Sequence, residues 1–564
     1  MRRHVTILAA VGLLTFFLGL GRAAVSDSDE AFYAEAAREM VESGNWLTPY
    51  YNYEPRFQKP ILYYWLAAGT FQIAGVSAWA ARFPSALSGL GLALLTYACG
   101  RRWFSPRVGL IAGLIVATNF GYFIIGRLAL PDLLLTFFIA LATWALLEVC
   151  RAGEPGAAAP GRPTRRWLAV AGVAGGLAVL TKGPVGAALP ALVLAGALLM
   201  QHGWRAWRWR LPVGRGDVLL AAALFVITAA PWYVAMLGEH GTAYLDRFFI
   251  GENVDRFTTD RYNDPRPLGY YLPIVFGGLL PWSPFMLLWV AAAYRRWRAG
   301  ARLWTPTHTR LTVWAVLPLV FYSVSVGQQP RYVLPILPPL AVLLAASMNW
   351  RIERAADAGR TADRAIAACA TLGALVLVTL GILLGRGRPL LFALEPRWGL
   401  VAMAVILGSG LAVAGVAWRG RARQIVGTMA AASIATLLAA HFSIYSAAGL
   451  EPVQRMADLV AAQRPAAEPI GTHRAMVRNL GFYTGSKIWD LTAEGDVAAF
   501  LTRPERVLLV VRDEHLAAIE ARHGVRARTL GAVRYINPTG LRLRSLLWPD
   551  PERDLDTVVL ATNR

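Results

Sequence analysis

The chain has 564 residues, 56% of them hydrophobic and only 16% charged, with a mean hydropathy of +0.43. Soluble domains carry about 25% charged residues, so this composition excludes an ordinary soluble enzyme and indicates a polytopic membrane protein. The formal net charge of +21 invites a nucleic-acid partner. The basic residues, however, cluster in alternate loops between apolar runs, so the charge reads as membrane topology and no nucleic acid is expected.

Apolar runs of the length that a bilayer requires are expected near 5–25, 83–100, 107–125, 131–149, 167–182, 184–201, 217–237, 270–294, 309–326, 332–348, 366–384, 398–418 and 425–446, about 13 spans in all. The first reads as a retained signal anchor, because no small-residue cleavage site follows it convincingly. Arginines recur beside these runs, from Arg2 and Arg3 through Arg101, Arg102 and Arg107 to Arg419, Arg421 and Arg423. This bias puts the N-terminus in the cytoplasm. Loops 26–82, 126–131, 238–269 and 327–331, and everything after 446, then fall outside.

The first external loop, 26–60, concentrates polar residues in an otherwise lipid-soluble chain. Asp29 and Glu30 are adjacent carboxylates. With Ser26 before them they read equally as a helix cap, since acidic residues in a first turn are ordinary stabilisers of the helix dipole. Phe32, Ala36 and Met40, with Tyr33, Ala37 and Val41 one position on, form an apolar face suited to the membrane interface. Lys59 follows Gln58 and precedes Pro60 and an aromatic run, Tyr63, Tyr64 and Trp65. It reads either as a lysine snorkelling to headgroups or as a cation for an anionic phosphate.

Farther along, Arg127 and Asp132 flank a proline-broken helix start, as a buried ion pair or as functional intramembrane charges. The loop 238–269 carries Arg247, Arg256 and Arg261, with Arg266 in the same stretch; these are solvated surface ions or phosphate clamps. GQQPRYVLPILPP (327–339) puts Arg331 and Tyr332 at an external helix entrance. Cys99, Cys150 and Cys369 lie far apart beside spans and read as packing residues. After 446 short apolar runs (470–473, 507–511, 557–561) alternate with helix-like stretches at 494–504 and 513–524. That alternation implies a small extracytoplasmic α/β domain, 447–564, behind a membrane domain, 1–446.

Six blocks in register resemble one family: SDEAFYAEAAREMVESGNWLTP, QKPILYYW, RLALPDLLLTFF, TKGP (181–184), GENVDRF and PRYVLPILPP. The chain resembles GT-C glycosyltransferases of the protein-O-mannosyltransferase superfamily, most of all the bacterial branch that transfers aminoarabinose to lipid A. The resemblance implies an all-α polytopic GT-C membrane domain with a small periplasmic α/β domain, in the bacterial inner membrane. It implies an enzyme moving a sugar from a polyprenyl (undecaprenyl) monophosphate carrier to lipid A or another envelope acceptor, with inversion expected from a single displacement. By the same resemblance Asp29, Glu30 and Asp132 are catalytic, and Lys59, Arg256 and Tyr332 bind the donor phosphate. Gln58, Tyr33 and Arg331 are assigned to sugar or acceptor. A divalent metal at Asp29 and Glu30 is conceivable, but no complete ligand set is readable.

One departure bears on the substrate. Where the aminoarabinose branch is expected to carry glutamate, this chain has Gln58. Glutamine suits neutral hydroxyls, so a neutral sugar passed to protein or polysaccharide stands as the alternative. A lipid-linked sugar transporter or flippase is the second alternative; it would share the helices and cations but need no external carboxylate pair.

Overall fold

The computed structural model describes residues 1–25, 29–153, 162–204, 212–259, 266–300, 305–358, 363–390, 399–445, 452–464, 468–475, 479–536 and 542–564. Ser26, Arg261 and the expected domain boundary at 446/447 lie outside the described residues.

Helix α1 (Arg2–Gly12) runs on as a π-helical turn, Leu13–Phe17. The loop expected to be external then folds as α2 (Asp29–Ser43), a two-stranded ribbon of β1 (Tyr50–Tyr51) and β2 (Glu54–Pro55), and α3 (Leu62–Ala74). There follow α4 (Ala78–Trp103), α5 (Pro106–Thr118), α6 (Phe120–Gly126), α7 (Asp132–Arg151), α8 (Arg162–Lys182), α9 (Val185–His202) and α10 (Arg215–Leu245). A π-helical segment, Asp246–Asp255, extends α10.

Local chemistry sets the helix ends. Ser105 caps α5, its hydroxyl accepting from Val108 N at 3.3 Å, with Pro106 at the first helical position. Asn119 ends α5 and starts α6: its amide donates to the Ile115 and Val116 carbonyls, and its oxygen accepts from Tyr122 N at 2.9 Å. The two helices meet at 55° there.

Among the described residues eight helices are long and apolar enough to cross a membrane, or up to ten if each of two bent pairs counts as one span. The expected runs at 107–125 and 270–294 are these bent pairs, the second broken by 112°. Runs 5–25, 167–182 and 309–326 are helical but do not pass the same test, the first being too short, the second charged at its ends and the third too polar over its 18 residues.

Helix α2 differs from the interfacial helix expected of its sequence. Both its apolar residues and Glu30, Glu35, Arg38 and Glu39 are buried. The reason is a second cover: α3 packs on it from one side, and the short helix Leu480–Thr484 from another. Arg38 satisfies Glu35 with hydrogen bonds at 2.8 Å, so the polar face can leave water.

The C-terminal region carries a five-stranded sheet of β3 (Ile470–His473), β4 (Ile488–Asp490), β5 (Leu508–Arg512), β6 (Arg528–Ile536) and β7 (Leu555–Thr562). The strand order is β4-β3-β5-β7-β6, with β4, β3 and β5 parallel and β7 antiparallel to both neighbours. Helices Glu494–Leu501 and Asp513–His523 connect and cover it. Three contacts fasten this region to the segment from Val25 to Tyr53. Val25 N donates to the Tyr483 hydroxyl at 2.7 Å, and Tyr53 Oη donates to the Gly485 carbonyl at 3.3 Å. Asn52 exchanges two 2.8 Å hydrogen bonds with the Ile488 backbone, as a paired strand residue would.

Candidate active site

Two neighbouring carboxylates diverge at the start of α2. Glu30 is fully buried, and Arg82 on α4 grips both its oxygens at 2.7 and 2.9 Å. Its Oε1 also accepts from Ala129 N at 2.7 Å. Arg82 spends its remaining donors on the carbonyls of Leu20, Ala23 and Ala24. Ser85, one turn along α4, bonds the Leu130 carbonyl at 2.7 Å. This knot therefore joins the end of the first helix, α2, α4 and the turn before α7, and Glu30 belongs to it. Asp29 turns the other way, to Arg331. The two carboxylates do not share a ligand position.

Arg331 bridges Asp29 and Asp132, lying 3.4 Å from the latter. Asp132 opens α7 and also takes Lys182, at the end of α8, at 2.6 Å. Gly183 makes that turn possible: its φ is +91°, and a Cβ there would meet Phe248 at 2.8 Å. The ammonium of Lys182 stands 4.9 Å above the Tyr332 ring. A second ionic group adjoins the first. Glu252, in the π-helical segment, accepts from Lys59 at 2.5 Å and lies 3.1 Å from Arg256. Arg256 reaches the Tyr332 hydroxyl at 3.3 Å.

These groups surround a cavity of about 510 Å³, lined by Lys59, Lys182, Glu252, Arg256 and Tyr332 at its charged end. Val185, Ala188, Ile250, Phe257 and Phe321 supply apolar wall. A charged head and apolar sides suit an amphiphile carrying an anion. Burial drives the Lys59 ammonium down to about 7, with Glu252 opposing and Arg256 adding to the fall. Burial raises the Asp29 carboxyl, but Arg331, helped by Lys182 and Lys59, outweighs it and holds the group below the ordinary value.

The structure thus brings Asp29, Asp132, Lys59, Arg256, Arg331 and Tyr332 together. Tyr33 is buried behind them, its ring against Tyr63 and Tyr64 at 5.5 and 5.4 Å. Gln58 is half-buried; among the described residues its Oε1 has no partner, while its backbone carbonyl takes Lys59 at 2.9 Å. Arg127 does not pair with Asp132. It donates instead to the Thr15 and Leu18 carbonyls at the end of the first helix. Arg247 and Arg266 are exposed. Lys182 and Glu252 are the two site residues that motif reading passed over as roles. A signal for one was available: only three of the 56 basic residues are lysines, and two of those three line this cavity.

A family model described as dolichyl-phosphate-mannose-protein mannosyltransferase matches residues 9–239. An undecaprenyl phosphate-alpha-4-amino-4-deoxy-L-arabinose arabinosyl transferase of Aeromonas hydrophila is 30% identical over 409 residues, 72% of this chain and 70% of that protein. A second such transferase, of Proteus mirabilis, is 31% identical over 350 residues, 60% of this chain and 58% of its own. The chain therefore spans 58% of the length of that relative. The crystal structure of ArnT from Cupriavidus metallidurans bound to undecaprenyl phosphate shares the fold, with a TM-score of 0.73 at 23% identity over 99% of this chain and 98% of that one. The chain belongs to the ArnT-like family of GT-C membrane glycosyltransferases.

Proposed function

We propose that this protein transfers 4-amino-4-deoxy-L-arabinose from undecaprenyl phosphate to lipid A at the outer face of the bacterial inner membrane. The observation that carries the reading is the convergence of Lys59, Lys182, Arg256 and Tyr332 on one amphiphilic cavity beside Asp29 and Asp132. The family's relatives act on undecaprenyl phosphate aminoarabinose by name. We take the same topology: thirteen spans, a cytoplasmic N-terminus, a membrane domain to 446 and a periplasmic domain from 447. Helix α1 with its π-helical turn, α8 and Pro306–Ser323 would bring the ten apolar spans to that number.

Each residue's role follows from its chemistry. Breaking the sugar–phosphate bond leaves a dianion. Lys59 and Arg256 supply cationic donors for it, and the Tyr332 hydroxyl adds a third. Glu252 now occupies the space between the two cations, so an incoming phosphate must displace or share it. Asp29, held ionised by Arg331, is a weak base. That suits an acceptor whose nucleophilic oxygen is already ionised, such as a phosphate, better than a serine or threonine hydroxyl. Asp29 then orients the sugar and acceptor, with Asp132 holding Arg331 in place. Glu30 acts as a positioning residue: through Arg82 and Ala129 it holds the Asp29 and Asp132 backbones in one frame.

A neutral donor sugar is the second reading, favoured by Gln58, whose buried amide oxygen can accept from a hydroxyl as well as from an ammonium. Sugar transfer by purified protein in nanodiscs tests both. With aminoarabinose donor and lipid A, wild type is expected to turn over, and Asp29→Asn and Lys59→Ala to lose transfer. Turnover of neutral lipid-linked sugars alone contradicts the aminoarabinose reading.

A further inference from the structure

A second pocket, about 260 Å³, lies where the outer sheet meets the first external loop. Phe32, Tyr51 and Asn52 line one side; Thr472, Arg474 and Asp490 line the other. Its position in the outer sheet is informative. Strand order reverses between β3 and β5, and the pocket lies one strand over, at β3 and β4. Ligands of open α/β sheets bind outside the carboxyl ends of the parallel strands. Thr472, Arg474 and Asp490 stand at the carboxyl ends of β3 and β4.

The charges here differ from those of the donor cavity. Among the described residues neither Arg474 nor Asp490 forms an ion pair or side-chain hydrogen bond, and both are exposed at the rim. Arg474 has a φ of +46° and Asn52 one of +56°. Opposite them, Phe32 and Tyr51 pack edge to face at 4.8 Å, with the Arg56 guanidinium 4.5 Å over Phe32, and their remaining ring surface offers a wall to a sugar ring. Phe32 lies three residues beyond Asp29 on α2, and Glu35, also at the pocket, six. At 1.5 Å per residue Phe32 and Glu35 stand about 4.5 and 9 Å farther along the helix axis than Asp29, so the pocket adjoins the helix that carries the reacting carboxylate.

We propose that this pocket seats the phosphorylated sugar headgroup of the acceptor. Arg474 takes a phosphate, Asp490 and Thr472 take a hydroxyl or amine, and the aromatic wall takes the ring. The inference rests on the reading of the acceptor as a phosphorylated glycolipid. It gives the outer domain a part in substrate binding, with donor and acceptor sites on either side of Asp29.

Equilibrium binding of lipid A to the full-length protein in nanodiscs tests this, with undecaprenyl phosphate measured separately. Arg474→Gly removes the guanidinium and suits the left-handed backbone, so the fold is kept; Asp490→Asn is the companion. Arg474→Gly is expected to weaken lipid A binding about tenfold, as loss of one charge-assisted contact does. Undecaprenyl phosphate binding and unfolding temperature stay unchanged. Dephosphorylated lipid A should bind wild type and Arg474→Gly alike, and glucosamine 1-phosphate should compete with lipid A alone. Unchanged lipid A affinity in both variants overturns the proposal. A wild type that binds lipid A through Arg474 but transfers no sugar to it would leave the pocket standing and overturn the proposed reaction. A wild type that binds no lipid A overturns both.

Discussion

The Glu30 knot and the cavity proposed for the donor are both clusters of buried opposite charges, the first holding Glu30 and the second joined to Asp29 only through Arg331 and Asp132, yet they do different work. In the knot, Arg82 meets two carboxylate oxygens and three carbonyls, and Glu30 gains a backbone amide as well. In the donor cavity the cations share carboxylates, Glu252 between two and Asp132 between two more, and about 510 Å³ of space adjoins them. Buried charge marks both regions. Shared partners beside open space mark the one fitted to receive an anion.

Breaking the knot should have the largest effect, and it should fall on stability. Arg82→Ala strands a buried carboxylate, an act that costs about 3–5 kcal/mol in soluble proteins. A lowered unfolding temperature in detergent checks it; an unchanged one would mean that the knot holds nothing. Asp29→Asn should spare stability, because Asp29 is half-buried, and cut sugar transfer about 100-fold or more. Undecaprenyl phosphate binding to this variant, measured in parallel, should persist.

The third effect is on pH. Burial pushes the Lys59 ammonium down to about 7, and in the proposed function its charged form meets the phosphate. As pH rises above 7 the free protein loses that charge, and binding must restore it. A phosphate monoester stays dianionic there, with its second pKa at about 6. Affinity for undecaprenyl phosphate should therefore fall with pH between 7 and 9, by up to about tenfold per unit. Lys59→Arg should flatten the profile. The smallest effect belongs to Glu252→Gln: it removes the carboxylate competing for Lys59 and Arg256 but also the charge that keeps Lys59 protonated, so carrier affinity at pH 7 should change by no more than about threefold while its fall with pH begins below 7.

Much of the site was legible because its residues sit in short polar blocks inside apolar sequence, where charge is costly and so informative. Lys59, Asp132 and Tyr332 were found that way. The division of labour between Asp29 and Glu30 was not legible: adjacent residues on a helix point about 100° apart, and only Arg82 and Arg331 show which faces what. Lys182 was hidden in TKGP at the end of an apolar run, although the scarcity of lysine singled it out. In the C-terminal region β3, β5 and β7 announced themselves as apolar runs. Strand β4 has three residues, two of them exposed, and β6 carries Arg528, Arg534 and a glycine on a largely exposed edge, so neither shows a buried-strand pattern. The burial of α2 depended on a helix some 440 residues away in sequence.

The most direct test of the donor cavity is binding of undecaprenyl phosphate to wild type and to Lys59→Ala in nanodiscs at pH 7. The account predicts a loss of about 30-fold or more in affinity, with the unfolding temperature unchanged. Equal affinity in the two proteins would contradict it.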